Sequence, residues 1–344
     1  MLFICRILKI YLKININISV LNNTNLRTKM DTKIDEIKRE IGKIIVGQED
    51  LVDSLLVGLI SGGHILVEGV PGLAKTTAIN ALSKSLGLDF KRIQFTPDLL
   101  PSDVVGTEVY NQKEASFAVR KGPIFTHLLL ADEINRAPAK VQSALLEVMQ
   151  EKQVTIADTT FKLDEPFLVM ATENPVEQEG TYRLPEAQLD RFMLKVMVGY
   201  NTIDEEFEIV QRVAKNGFEK VEQVADIKDI LELREKLQSV HVDDELERYM
   251  LNIVFATRFP ERYGLEELQD MIEFGASPRA SIDLYKASRA MALIRGKDFV
   301  TPLDVANVVN SVLRHRVILS YQAESSGLDV DKVVQKIMNL IQAP

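Results

Sequence analysis

The 344-residue chain has a single cysteine, Cys5, so neither a disulfide framework nor a structural zinc cluster is available to it. Its four histidines stand at 64, 127, 241 and 315, too scattered for a metal-ligand spacing, and each reads as a satisfied or solvent-facing side chain. No apolar run at the N-terminus reaches the about 18 residues that span a bilayer; the stretch Leu8–Val20 is interrupted by Lys9, Lys13 and Asn15, and no small-residue cleavage site follows it. Basic surplus is missing as well. Residues 1–30 carry five cations and no acid, so a net −9 overall means −14 for the rest. A body that acidic repels a phosphate backbone, which argues against DNA or RNA as partner.

At this length the chain can hold two domains and bury a sizeable core. The most informative stretch is Gly69-Val70-Pro71-Gly72-Leu73-Ala74-Lys75-Thr76, set between the apolar run His64–Glu68 and the helix-compatible run Thr77–Leu82. Strand, glycine loop and helix in that order make backbone N–H groups and a helix N-terminus converge on one point, where anions with several oxygens bind. Lys75 adds a point charge at the β- and γ-phosphates, the Thr76 hydroxyl is a candidate Mg²⁺ ligand, and Thr77 belongs to the same turn. The pattern predicts a nucleoside triphosphate site. Its sixth position is Ala74 instead of glycine, which is accommodated if that residue keeps φ below zero.

Two further apolar runs end in polar side chains. His127–Ala131 leads into Asp132-Glu133, and the carboxyl end of a buried parallel strand is where such sheets bind ligands. Asp132 would hold Mg²⁺ through its water shell, and Glu133 would orient the water that attacks the γ-phosphorus. Seen alone the pair could be an acidic loop after a core strand; Lys75-Thr76 upstream sets it apart. Phe167–Thr172 ends in Glu173-Asn174-Pro175, where Asn174 offers a neutral amide to the attacking water, although Asn-Pro also commonly starts a turn. Arg191 precedes the strand candidate Met193–Met197 and could by itself be a surface partner of Asp190 or Glu186.

In this order the motifs resemble the AAA+ ATPases, specifically the MoxR family of the helix-2-insert clade. The carriers are Val46-Gly47-Gln48, the loop Gly69–Thr76, Gln94–Pro101, Gly122–Phe125, Ala131–Pro138, Ala171–Pro175, Leu184–Phe192 and Ser277–Ala280, from about Ile34 to the C-terminus. The family also has Ala at the sixth loop position, and it departs from this chain at Arg183, where Pro is expected. The resemblance implies an α/β AAA+ core with a parallel sheet flanked by helices, an all-α C-terminal lid, and ATP with Mg²⁺ shared between subunits of a ring, usually a hexamer. Val46 and Gly47 would line the adenine pocket. Arg279 would touch the phosphates of its own subunit from the lid, and Arg191 would be the finger inserted into the neighbour's site, with Arg136 a second candidate there. It further implies a cytoplasmic, chaperone-like ATPase acting on client proteins, some of them at membranes, with a partner carrying a von Willebrand factor A domain. A metal-chelatase motor subunit, a nucleotide-gated scaffold and a nucleic-acid motor are the alternatives.

The expected organisation is a non-native or disordered extension at 1–30 with Met30 as true start, a nucleotide-binding domain at 31–210, and a helical lid at 211–344. Within the first domain, Val104–Tyr110 and Ser116–Arg120 read as a hairpin inserted at about 104–120, either partner-contacting or a plain surface hairpin. Helix-compatible runs fill 204–214, 225–237, 244–258, 277–294, 301–319 and 329–341, and Thr301-Pro302 reads as an N-cap with Pro at the first helical position.

Overall fold

The computed structural model describes residues 33–113, 115–176, 180–215, 217 and 219–344. The expectations for residues 1–30 and for Met30 lie outside them. A helix α1 over 33–42 and α2 (Glu49–Ser61) lead into β1 (Ile65–Glu68), the glycine loop and α3 (Lys75–Leu86). Next come β2 (Phe90–Gln94), α4 (Pro101–Val105), the hairpin β3 (Gly106–Asn111) and β4 (Ser116–Lys121), and β5 (Leu128–Asp132). Then α5 (Ala139–Glu151), a second hairpin β6 (Gln153–Ile156) and β7 (Thr159–Lys162), β8 (Leu168–Glu173), α6 (Glu186–Leu189), β9 (Leu194–Met197) and α7 (Ile203–Ile209) complete the α/β part.

The five core strands form one parallel sheet in the order β2-β5-β8-β1-β9. Alternation along β1 explains why both faces are covered. Ile65 and Val67 join the core shared with α2 and α3, while Leu66 joins Ala131, Val169 and Leu145 of α5 on the other side. Register then aligns the strand ends: Gln94 lies opposite Asp132, and Glu68 opposite both Glu173 and Met197. Polar residues that are far apart in the chain are thereby brought to one edge.

The C-terminal region is helical: α8 (Ile227–Ser239), α9 (Asp244–Ala256), α10 (Pro278–Ile294), α11 (Pro302–Leu313), α12 (Tyr321–Ser325) and α13 (Val330–Leu340). Leu233, Ile253, Leu284, Val305 and Val309 extend the first core from β1 into this bundle. Thr301 caps α11 with Asp304 in a capping box, as Thr-Pro at that place predicts. Two features go beyond the periodicity. A short antiparallel sheet pairs β10 (Ile272–Phe274) with β11 (Ile318–Leu319), so the region is not wholly helical, and α11 stops at Leu313 instead of running to 319. The helix stops where Arg314, His315 and Arg316 turn back onto backbone carbonyls of Lys195, Phe192 and Met193.

The inserted hairpin stands where the sequence places it. At its base Gly106 has φ +105, and a Cβ there would lie 2.4 Å from the Arg120 carbonyl oxygen, so only glycine lets the strands close. Tyr110 and Phe117 sit exposed on it with ring centroids 5.1 Å apart. The β6–β7 hairpin was not anticipated; its strands are four residues each and too short for a period-2 signal.

Candidate functional site

The glycine loop leaves β1 and enters α3 with Ala74 at the helix N-cap, φ +55 and ψ +16. This corrects the expectation of a negative φ. The left-handed conformation costs a non-glycine residue roughly 1–2 kcal/mol, and it is kept because it turns the loop directly into the first turn of α3. Pro71, Gly72, Leu73, Ala74, Lys75, Thr76 and Thr77 line one wall of a cavity of about 570 Å³. Lys75 Nζ donates to the Gly69 carbonyl at 2.6 Å, folding the side chain back over the loop. Burial pushes the Lys75 ammonium below its usual range, against the pull of Asp132, Glu133 and Glu68.

The opposite wall is the edge of the sheet. Asp132 Oδ1 accepts from Thr172 Oγ1 at 2.6 Å, and its Oδ2 accepts from Arg92 Nη2 at 2.6 Å. Glu133 has φ +55, a strained conformation that ends β5 abruptly and turns the chain into a short 3₁₀ segment. Its N–H donates to Thr172 Oγ1 at 2.9 Å, and its Oε2 accepts from Gln94 Nε2 at 2.8 Å and Arg136 Nη1 at 3.3 Å. Asn174 is buried, and its Oδ1 accepts the Val176 N–H at 3.1 Å, which makes its NH₂ the donor end. Beside it burial pushes the Glu173 carboxyl up, with Lys195 opposing and Glu68 reinforcing the shift.

A third wall comes from elements before β1 and after β9. Val46 lines it, and its carbonyl accepts from Asn201 Nδ2 at 2.9 Å. Gly47, at φ +66, is packed so closely that a Cβ would lie 2.6 Å from Glu205 Oε1. Lys43, Ile44, Ile209, Arg212 and Val213 complete this side, with Arg212 Nη1 donating to the Gly42 carbonyl at 2.6 Å. The arrangement is an apolar mouth followed by a polar floor, the form a cleft takes when it holds a planar base and a charged tail.

The chain matches the model of the ATPase family associated with various cellular activities over residues 64–194 and the AAA lid domain model over 266–337. It is 48% identical over 305 residues to Chaperone MoxR1 of Mycobacterium tuberculosis, covering 89% of this chain and 81% of that protein. The chain belongs to the MoxR family of AAA+ ATPases. It is similar as well to the uncharacterized protein YeaC of Bacillus subtilis, with 44% identity covering 88% of this chain and 92% of that one. A crystal structure of a proposed ATPase from Cytophaga hutchinsonii superposes with a TM-score of 0.89 at 49% identity, covering 95% of this chain and 99% of the other. This MoxR-family chain is therefore an ATPase.

Of the residues singled out in the sequence, Val46, the stretch Pro71–Thr77, Asp132, Glu133 and Asn174 line this MoxR cavity together. Gly69 and Val70 stand behind the loop, Gly69 with its carbonyl on Lys75 and a position where a Cβ would meet the Val198 carbonyl oxygen at 2.6 Å. Arg191 and Arg279 are elsewhere. Both line a second cavity, of about 730 Å³, with Asp190, Lys152, Arg234, Lys286 and Arg289. Arg279 is at the start of α10, outside the cavity of the phosphate loop, and pairs with Asp190 at 3.3 Å. Arg136 pairs with Glu133 of its own subunit at 3.3 Å.

Arg92, Thr172, Asn201 and Arg212 were missed. Each reaches the cavity through register or through packing of α7, and none stands in a local pattern. The donor set fits Mg²⁺: a Thr76 hydroxyl and an Asp132 carboxylate on facing walls are hard oxygen ligands, and the ion takes its other ligands from water and phosphate.

Proposed function

We propose that this MoxR-family ATPase works as a ring, a hexamer by resemblance, whose ATP sites are completed by the neighbouring subunit. One observation carries this reading: Arg191 and Arg279 line a cavity distinct from that of the phosphate loop, and Arg191 Nε is buried with no hydrogen-bond partner. A half-buried guanidinium kept apart from its own nucleotide cavity suits the phosphates of another copy.

Within each site, residues 69–77 cradle the phosphates, Lys75 neutralises the β- and γ-oxygens, and Val46 and Gly47 border the base. Thr76 and Asp132 would hold Mg²⁺, which when bound supplies Lewis-acid neutralisation of phosphate charge. Glu133 orients the attacking water, its carboxylate steadied by Gln94 and Arg136, and Asn174 donates from its NH₂ end to that water or to a γ-oxygen. Arg191 and Arg279 together meet charge that spreads over the phosphoryl group in the adjacent subunit.

The work is conformational remodelling of protein clients in the cytoplasm, membrane-held clients included, with a von Willebrand factor A domain protein as the partner class. The −14 body supports protein over nucleic acid, and among the described residues no helix is long and apolar enough to cross a membrane. Steady-state hydrolysis against protein concentration, with Glu133→Gln as blank, tests the reading. Specific activity that climbs with concentration agrees with shared sites; a constant specific activity well above the blank at every dilution contradicts them.

A further inference from the structure

Arg316 follows α11 in the lid, yet four of the six acceptors its guanidinium finds are on the segment that carries Arg191. Nε donates to Asp190 Oδ1 at 2.9 Å; Nη2 donates to the Phe192 carbonyl at 2.8 Å, the Asp190 carbonyl at 3.3 Å and Asp283 Oδ2 at 2.5 Å. Nη1 donates to the Met193 carbonyl at 3.3 Å and to the Val312 carbonyl of α11 at 3.0 Å. Its side chain is 1% exposed. Asp190 in turn accepts from Ser277 Oγ at 2.9 Å and from Arg279 Nη1 at 3.3 Å, and Ser277 caps α10 through the Arg279 N–H.

These contacts bracket Arg191 on both sides. The carbonyls before and after it are bound by one guanidinium, and His315 Nε2 adds a second bond to the Phe192 carbonyl at 2.9 Å. Arg191 has no partner at its own Nε, so its head is aimed by the backbone on either side and not by a clamp of its own. We infer that Arg316, through Asp190 and Asp283, is a positioning residue that fixes Arg191 to the lid and sets it in common register with Arg279. Only a planar guanidinium with five donors can serve this acceptor set; a lysine has three and no fork. The inference rests on the reading that Arg191 acts on phosphate.

The test is a double-mutant cycle in ATP hydrolysis on the full chain. Arg316→Met with Asp283→Asn removes the buried cation together with one of its two carboxylate partners, while Asp190 keeps Arg279 as its counter-charge. In the parent, kcat is expected to fall about 10- to 100-fold, as misplacement of a reacting group does, with KM within about twofold. In the Arg191→Ala background the same pair is expected to change kcat less than about twofold. A kcat within about twofold of the parent, or a loss of equal size without Arg191, overturns the inference.

Ser277→Ala, which removes a single hydroxyl from Asp190, runs through the same cycle should the paired variant fail to fold. A loss of about threefold that disappears without Arg191 supports the inference, and no loss or an additive one overturns it. Mixing Arg191→Ala with Glu133→Gln subunits tests the shared site separately. Non-additivity with no recovery on mixing leaves Arg316 acting on Arg191 and removes the neighbour from the account.

Discussion

Ala74 shows how a single residue stores strain at the point of function. Replacing it with glycine relieves roughly 1–2 kcal/mol of left-handed strain and adds about 0.5–1 kcal/mol of unfolded-chain entropy, so Ala74→Gly is expected to be neutral to about 1.5 kcal/mol stabilising in urea denaturation. Clear destabilisation would show that the methyl packs usefully. Lys75→Ala removes the cation over the loop and is expected to weaken ATP binding at least about tenfold, whereas Glu133→Gln keeps binding and loses turnover by about 100-fold or more. Nucleotide titration beside a phosphate-release assay separates the two. These residues were legible because the chemistry is written locally: Lys75-Thr76, Asp132-Glu133 and Asn174 each follow an apolar strand. Arg92 and Thr172 were not, because what places them is the pairing of β2 with β5 and of β5 with β8. The sign of φ at Ala74 is not legible for a related reason, since the helix that follows decides it and not the residue.

At the scale of elements, β1 is tied at its start by a buried histidine. His64 accepts the Val169 N–H at Nδ1 (3.0 Å) and donates from Nε2 to the Met149 carbonyl (3.0 Å), joining β8 to the end of α5. Burial, with Lys152 and Arg234 adding repulsion and the Met149 carbonyl opposing, pushes its pKa down to about 4. An unfolded histidine titrates near 6.5, so between those values the unfolded chain binds more protons and stability falls as pH drops. The loss by pH 5 is about 2 kcal/mol relative to pH 7.5 from this group. Urea denaturation at both pH values, for the parent and for His64→Gln, isolates it from the carboxylates: the parent's advantage over the variant shrinks toward pH 5. An advantage that is unchanged would mean the ring titrates alike in the folded and unfolded states. The sequence gives His64 as one apolar-flanked histidine among four; its role depends on two carbonyl and amide groups 85 and 105 residues away. Long periodic runs predicted α8, α9, α10 and α13 well, while the two-residue β11 carries no period to read.

For the whole molecule, the lid decides what sequence motifs could not. Its helices share a core with the sheet, and Arg316 and His315 fasten it to the segment around Arg191, which moves Arg279 away from the phosphate loop of its own subunit. Where a lid packs is a long-range property, so Ser277-Pro278-Arg279 marks a candidate arginine, expected at the phosphates of its own subunit, while the packing that places it is not written locally. The same packing makes the account testable by complementation. Glu133→Gln subunits keep Arg191 but cannot hydrolyse, and Arg191→Ala subunits keep a full nucleotide cavity but lack the arginine. Mixed at equal concentration under conditions where subunits exchange, the two impaired proteins are expected to recover hydrolysis well above either alone. Proven exchange with no recovery would contradict a site shared between neighbouring subunits.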